Sequence, residues 1–128
     1  MRLPDAEIQV PVRAYHPCEV CALNAQFDIV LALEIVEHVA DVDLFLTSCG
    51  RLVKPGGLLL YATCSLLDEE NAEVVESFLA AHAQFELRPA NAALAQQRIA
   101  LDTGEYLRLA PHLHGSDGFF AALIAKKA

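Results

Sequence analysis

Several side chains in this sequence could do chemistry, and the first of them is a cysteine. Cys64 lies in the segment Tyr61-Ala62-Thr63-Cys64-Ser65, directly after the apolar residues 58–63, which are typical of a buried strand. A cysteine thiolate is a nucleophile that can bond covalently to a substrate. Ligands of open αβ sheets gather beyond the carboxyl ends of the strands, so this position favours a catalytic role for Cys64. The alternative is a buried structural thiol.

Acidic residues and a histidine follow an earlier strand-like run, residues 27–33. Glu34 stands at the end of that run, where it would approach a cofactor or a substrate, or else be a solvated loop acid. Glu37 and His38 have side chains suited to acid–base or metal chemistry. A glutamate at a helix start and a histidine packed in the core are the structural alternatives.

The other candidate metal ligands are few and scattered. Cys18 and Cys21 form a Cys-x-x-Cys pair, which can bind zinc or cycle as a disulfide. Structural zinc normally has four ligands, and the two remaining cysteines stand apart from this pair. His112 and His114 lie two residues apart in a predicted loop, with no assured acid or cysteine partner. We therefore predict no metal site.

Short strand-like runs alternate with helical patterns along the chain, which is typical of a mainly parallel sheet in an α/β fold. We expect the first strand to be buried on both faces, because it is apolar almost throughout. The predicted strands are residues 27–33, 58–63, 85–88, 106–109 and 118–124.

Helices are predicted between these strands. Asp41 is placed to cap a helix that ends near Val53 and is stopped by Lys54-Pro55-Gly56-Gly57. A second helix begins near Asp68 and its acidic neighbours. Residues 91–104 read as a connection of undefined structure. The apolar faces predicted for the two helices are Val42, Phe45, Cys49 and Leu52, and Val74, Val75, Phe78 and Leu79.

Composition limits the classes of function. The 128 residues fit one domain, and 55% hydrophobic residues indicate a folded chain. A formal net charge of −8 opposes nucleic-acid binding by this chain alone, because attraction to phosphates needs a basic surface. The sequence has no apolar run of 18 or more residues and no secretory signal, so we expect a cytoplasmic protein with no membrane partner, whose cysteines are thiols.

Two stretches of the chain resemble known methyltransferases. Residues 27–57, through the strand, Glu37-His38-Val39 and the Lys54-Pro55-Gly56-Gly57 turn, resemble the middle of the ubiquinone-biosynthesis O-methyltransferases. Residues 58–128 resemble the carboxyl-terminal part of bacterial ribosomal RNA cytosine carbon-5 methyltransferases of the Sun family. The segments that carry this second resemblance are Tyr61-Ala62-Thr63-Cys64-Ser65, Glu69-Glu70-Asn71 and His114-Gly115-Ser116-Asp117-Gly118-Phe119-Phe120.

These resemblances imply the carboxyl-terminal half of a Rossmann-like class I methyltransferase sheet, mostly parallel with an antiparallel last strand. Residues 27–128 would form this partial domain, and residues 1–26 a weakly assigned segment in which residues 7–15 could add an edge strand. The implied cofactor is S-adenosylmethionine and the implied nucleophile is Cys64, with Glu34 near the cofactor. Neither family's glycine-rich cofactor loop is present. The RNA family's Asp-Ala-Pro-Cys segment is replaced by Ala32-Leu33-Glu34-Ile35.

Three functions remain open at this level. The first is methylation of cytosine in RNA, completed by a cofactor loop from another chain. The second is a non-catalytic half-domain that forms a homodimer through an exposed sheet edge, because bare edges pair readily. The third is O-methylation of a small quinone precursor. RNA is a partner by resemblance, and the negative charge places its main binding surface elsewhere.

Overall fold

A computed structural model of the chain describes residues 13–33, 41–99, 104–109 and 118–128. Helices and strands alternate along these residues, as the sequence pattern predicts. The helices are α1 (Pro17–Val20), α2 (Val42–Arg51), α3 (Ala72–Ala81) and α4 (Ala90–Gln96), with a 3-10 helix at Asp68–Glu70. The strands are β1 (Phe27–Leu33), β2 (Val53–Thr63), β3 (Phe85–Arg88), β4 (Leu107–Leu109) and β5 (Phe119–Lys126).

The strands of the described part form one five-stranded sheet in the order β1-β2-β5-β3, with β4 also paired to β5. β1 runs parallel to β2, whereas β5 is antiparallel to β2, β3 and β4. The first four strands therefore share one direction and β5 opposes them. This confirms the predicted α/β class with an antiparallel last strand. β5 is apolar along its length because it has a neighbour on each side and is buried on both faces.

The core lies between one face of the sheet and helices α2 and α3. Leu59 is fully buried there, and its partners Val30 and Ile124 share its face because paired residues point to the same side. Asp41 caps α2 as predicted: its Oδ1 accepts a hydrogen bond of 3.0 Å from the Leu44 N–H. The predicted apolar faces of both helices are confirmed by their burial or half-burial against this core.

The Lys54-Pro55-Gly56-Gly57 segment is not the turn that the sequence predicts. α2 ends at Arg51, and the segment lies inside β2. The pairing passes from Phe27 opposite Val53 to Ile29 opposite Leu58, so β2 carries extra residues that bulge from the ladder. Glycine is required at position 57, because a Cβ there would come 2.6 Å from the Asp28 carbonyl oxygen.

The prediction that β1 is buried on both faces is wrong for this structure. Ala32 is fully buried, but Ile29, Leu31 and Leu33 are 59%, 53% and 47% exposed. These three side chains alternate with Val30, which is half-buried, and Ala32, and within the described part β1 is the end strand of the sheet. One face of β1 is therefore apolar although no described element covers it.

The remaining predictions agree with the structure in part. β3 has the predicted bounds, and α3 follows a short 3-10 helix at the predicted acidic start. The connection predicted at residues 91–104 contains most of α4. Most of the edge strand predicted at residues 7–15 lies outside the described residues, and residues 13–15 have no regular structure. None of the described helices is long and apolar enough to cross a membrane.

Candidate active site

Cys64 lies where β2 ends. It follows Thr63, the last residue of that strand, at a bend that leads towards the 3-10 helix, and its side chain is exposed. The sequence left open the alternative that Cys64 is a buried structural thiol. The exposed side chain excludes that alternative. A reactive thiol needs access to its substrate, and this position provides it. Its catalytic role stays a prediction.

The residues on both sides of Cys64 are tied to one buried side chain, that of Asn71. The Thr63 hydroxyl donates a hydrogen bond of 2.5 Å to Asn71 Oδ1, and Asn71 Nδ2 donates one of 2.8 Å to the Ser65 carbonyl. The Ser65 N–H donates in turn to Thr63 Oγ1 over 3.2 Å. Thr63 and Asn71 are 1% and 4% exposed. We call this closed ring of hydrogen bonds the Thr63–Asn71–Ser65 clasp.

Further hydrogen bonds hold the segment that follows Cys64. The Leu67 N–H donates to Ser65 Oγ over 3.1 Å, and the Tyr61 hydroxyl donates to the Glu70 carbonyl over 2.6 Å. Burial raises the pKa of Tyr61 to about 12, with a further contribution from the negative charge of Glu70. Tyr61 therefore stays a neutral hydrogen-bond donor at ordinary pH.

Gly118, just before β5, lies against the same segment. A Cβ at this position would come 2.7 Å from the Leu66 side chain and 3.5 Å from the Cys64 carbonyl oxygen. The glycine therefore lets the start of β5 approach the loop that carries Cys64. Two segments that carry the resemblance to the RNA methyltransferases, Thr63-Cys64-Ser65 and Gly118-Phe119-Phe120, therefore lie next to each other.

Arg108 places a positive charge at the same end of the sheet. Phe120 pairs with Thr63 on one side and with Arg108 on the other, so Arg108 lies two strand positions from the end of β2. Its guanidinium carbon is 5.4 Å from the centre of the Tyr106 ring and 5.5 Å from that of Phe120, and its Nη1 is 3.2 Å from Asp68 Oδ1. Burial, the strongest cause, raises the pKa of Tyr106; Glu76 and Glu105 add to this and Arg108 opposes it.

The structure describes few of the other predicted site residues. Phe119 and Phe120, from the resemblance to the RNA methyltransferases, are half-buried and buried respectively. Cys21 is exposed beside α1, and the described residues contain no group of three or more side chains suited to holding a metal ion. The candidates that lie outside the described residues are Glu34, Glu37, His38, His112, His114 and Asp117, and the side chain of Cys18 also lies outside them.

Sequence reasoning missed the role of Asn71 in this site. An asparagine just before a helix normally caps it with its side chain, and Asn71 stands at that position of α3. Its side chain makes no capping hydrogen bond and serves the clasp instead. A sequence signal did exist, because the Glu69-Glu70-Asn71 segment is part of the resemblance, but its spacing from Thr63 does not reveal the contact.

The glycines in the described part of the chain do not form a cofactor loop. The sequence has six glycines, and the adjacent pair, Gly56 and Gly57, lies inside β2 rather than between a strand and a helix. Among the described residues there is thus no glycine-rich loop between a strand and a helix that would bring backbone N–H groups close to a nucleotide cofactor.

Comparison with known proteins places the chain among methyltransferases. The family model described as 16S rRNA methyltransferase RsmB/F matches residues 32–125. The ubiquinone biosynthesis O-methyltransferase of Rhizobium etli is 50% identical over 56 residues, which are 44% of this chain and 23% of that protein. Its counterpart in Agrobacterium fabrum is 42% identical over 59 residues, 46% of this chain and 24% of that protein. The chain thus matches less than a quarter of the length of these curated relatives.

Solved structures show the same fold. A methyltransferase homolog from Pyrococcus horikoshii is 30% identical, with a TM-score of 0.63, over 84% of this chain and 42% of its own. NSun6 from the same organism, solved with SFG, is 19% identical, with a TM-score of 0.66, over 94% of this chain and 35% of its own. At 19% identity, the similarity to NSun6 supports a shared fold and no further conclusion. The described sheet therefore corresponds to part of a larger methyltransferase structure.

Proposed function

Because this chain belongs to the 16S rRNA methyltransferase RsmB/F family, we propose that it carries the nucleophile-bearing part of an RNA cytosine carbon-5 methyltransferase. The observation that supports this most directly is the exposed Cys64 at the carboxyl end of β2, with the residues on both sides of it held by Asn71. Substrates of open αβ sheets bind at that end of the strands.

The chemistry that Cys64 contributes is covalent activation of the base. Carbon-5 of cytosine is a poor nucleophile. Addition of the thiolate sulfur to carbon-6 forms an S–C bond and moves the electron pair of the C5=C6 double bond, so that carbon-5 becomes nucleophilic. After methylation, loss of the carbon-5 proton to a base restores the double bond as the S–C bond breaks and the thiolate leaves. In such enzymes S-adenosylmethionine supplies the methyl group.

The contribution that we propose for these residues is the addition and departure of the Cys64 thiolate, because Cys64 is the nucleophile that they supply. The net charge of −8 requires that most of the basic surface for RNA come from elsewhere. Arg108 is a cation two strands from the end of β2, and it would meet a phosphate only in competition with Asp68.

A ribosomal RNA fragment that contains 5-azacytidine tests the proposal. Nitrogen replaces carbon-5 in this base, so carbon-6 is more electrophilic and no carbon-5 proton can be lost to complete the reaction. We expect an RNA adduct of the chain that survives denaturing electrophoresis, is absent in Cys64→Ser and remains in Cys21→Ser, the matched exposed-thiol control. An adduct that persists in Cys64→Ser, or no adduct with or without S-adenosylmethionine, contradicts the proposal.

A second candidate function is methylation of a small phenol or catechol. It is favoured by the 50% identity to a ubiquinone biosynthesis O-methyltransferase over 56 residues. Direct attack by a substrate oxygen on the methyl group needs no cysteine nucleophile. Transfer of labelled methyl to a catechol that is unaffected by Cys64→Ser would therefore favour this second function over the first.

A further inference from the structure

Asn71 is a buried polar residue at a helix start whose side chain does not cap the helix. Asparagine at this position normally accepts a hydrogen bond from the first turn, which stabilises the helix. Here the side chain turns to β2 and its loop, although α3 keeps its first backbone hydrogen bond, from the Val75 N–H to the Asn71 carbonyl. Instead of capping α3, the Asn71 side chain forms hydrogen bonds with Thr63 and Ser65, on both sides of Cys64.

The clasp satisfies its polar groups almost completely by itself. Thr63 Oγ1 donates to Asn71 and accepts from the Ser65 N–H, while Asn71 donates to the Ser65 carbonyl. An unsatisfied polar group at this depth is costly, and opening the ring would take these partners from the buried side chains of Thr63 and Asn71. The backbone before and after Cys64 is therefore held to the start of α3.

We infer that Asn71 is a positioning residue, which through the clasp fixes the backbone on both sides of Cys64 and so fixes the place from which its sulfur attacks a pyrimidine ring. This inference rests on the proposed function. Covalent attack depends steeply on placement, and a displacement of about 1 Å can cost about a hundredfold in rate. A clasp of this kind adds no group to the reaction; it limits the positions that the thiol can take.

The residue types match this role. The amide of asparagine accepts from Thr63 and donates to the Ser65 carbonyl at the same time, which neither an aspartate carboxylate nor an alanine can do. The threonine hydroxyl likewise donates and accepts. Thr63→Val removes the hydroxyl and keeps the shape, whereas Thr63→Ser keeps the hydroxyl, so this pair separates the hydrogen bonds from packing.

The first measurement is the mobility of a nitroxide label on Cys64. With Cys18 and Cys21 changed to serine, labelling is confined to Cys64, because Cys49 is buried. We expect the same spectrum for the otherwise unchanged chain and for Thr63→Ser, and at least about a twofold shorter rotational correlation time for Asn71→Ala and Thr63→Val. Asp41→Ala, which removes a cap from α2, controls for general loss of stability and should leave the mobility of the label unchanged. Equal mobility in Thr63→Val and the unchanged chain would overturn the inference.

The second measurement separates positioning from a merely structural role. In the 5-azacytidine assay we expect Asn71→Ala and Thr63→Val to form adduct at least about tenfold more slowly at saturating RNA, with the RNA Kd unchanged and Thr63→Ser close to the parent rate. A loosened label with an unchanged adduct rate would show the clasp to be structural only and would overturn the inference. If the parent chain forms no adduct, the proposed function fails, and the label alone decides whether the clasp fixes Cys64.

Discussion

Cysteines in this chain have opposite environments, and the environment decides what each can do. Cys49 is 2% exposed on the core face of α2, whereas Cys21 and Cys64 are exposed. Burial raises the pKa of the Cys49 thiol to about 12. Cys49 is thus a neutral packing residue at physiological pH. Among the described cysteines, only those at the surface can meet a substrate.

The buried thiol makes stability depend on alkaline pH. Because the pKa of Cys49 rises from 9.0 to about 12 on folding, its contribution to stability is complete below pH 9 and is lost as pH rises towards 12. Tyr61 acts in the same sense between pH 10 and about 12. We expect the urea midpoint of unfolding to fall from about pH 9 upward, and Cys49→Ala to be less stable at pH 7 but to show a later fall. Parallel pH profiles of the two proteins would contradict this prediction.

At the scale of elements, α2 is fitted to the sheet through a glycine. Gly50 lies one residue before the end of α2 and is buried, with room for no side chain: a Cβ there would come 2.9 Å and 3.2 Å from the Phe85 ring and 3.4 Å from that of Phe78. Alanine is the better helix former by about 1 kcal/mol, but overpacking a core costs about 1–3 kcal/mol. Because α2 lies so close to α3 and β3, we expect the cost of overpacking to exceed the gain in helix propensity.

We therefore expect Gly50→Ala to lower the free energy of unfolding by up to about 2 kcal/mol, the cost of overpacking less the gain in helix propensity. Urea unfolding followed by circular dichroism measures the change. Leu44→Ala, on the exposed face of the same helix, is the matched control and should change stability by less than about 0.5 kcal/mol. A Gly50→Ala variant as stable as the parent would show that the phenylalanine rings move aside at little cost.

The apolar periodicity of the sequence predicted the helices and strands better than it predicted which other elements pack against them. The apolar spacing in α2 and α3 and the cap at Asp41 were readable from the sequence because they depend on local geometry. The burial of β1 was not, because an apolar strand looks the same whether or not a layer covers its second face. The Asn71 contacts were hidden for a similar reason: they join residues across a loop, and a helix-start asparagine has an ordinary local explanation.

At the scale of the whole molecule, the described part of the sheet ends at β1, a strand with an exposed apolar face. Ile29, Leu31 and Leu33 form an exposed apolar row on β1, and Leu58 and Leu60, which pair with Ile29 and Leu31, are half-buried on the same face. Exposed apolar strands at a sheet end are sites of association. We propose that a second copy of the chain pairs with β1, as the sequence led us to expect.

A lysine on β1 should prevent this association. We expect the average mass from light scattering to rise with concentration for the parent chain, and Leu31→Lys to remain a monomer, because a charge on an exposed strand end opposes pairing. Leu44 is 59% exposed on α2, so Leu44→Lys is the control and should associate like the parent chain. A parent chain that stays monomeric at every concentration would contradict the proposal.

The central place of β5 in the sheet determines when the molecule can assemble as it is synthesised. β5 separates β2 from β3 and β4 and is translated after all of them. On the ribosome, β1 and β2 can pair early with α2 between them, whereas β3 and β4 have no partner in this sheet until Phe119–Lys126 emerge. The loop that carries Cys64 is therefore completed late, when Gly118 arrives beside it.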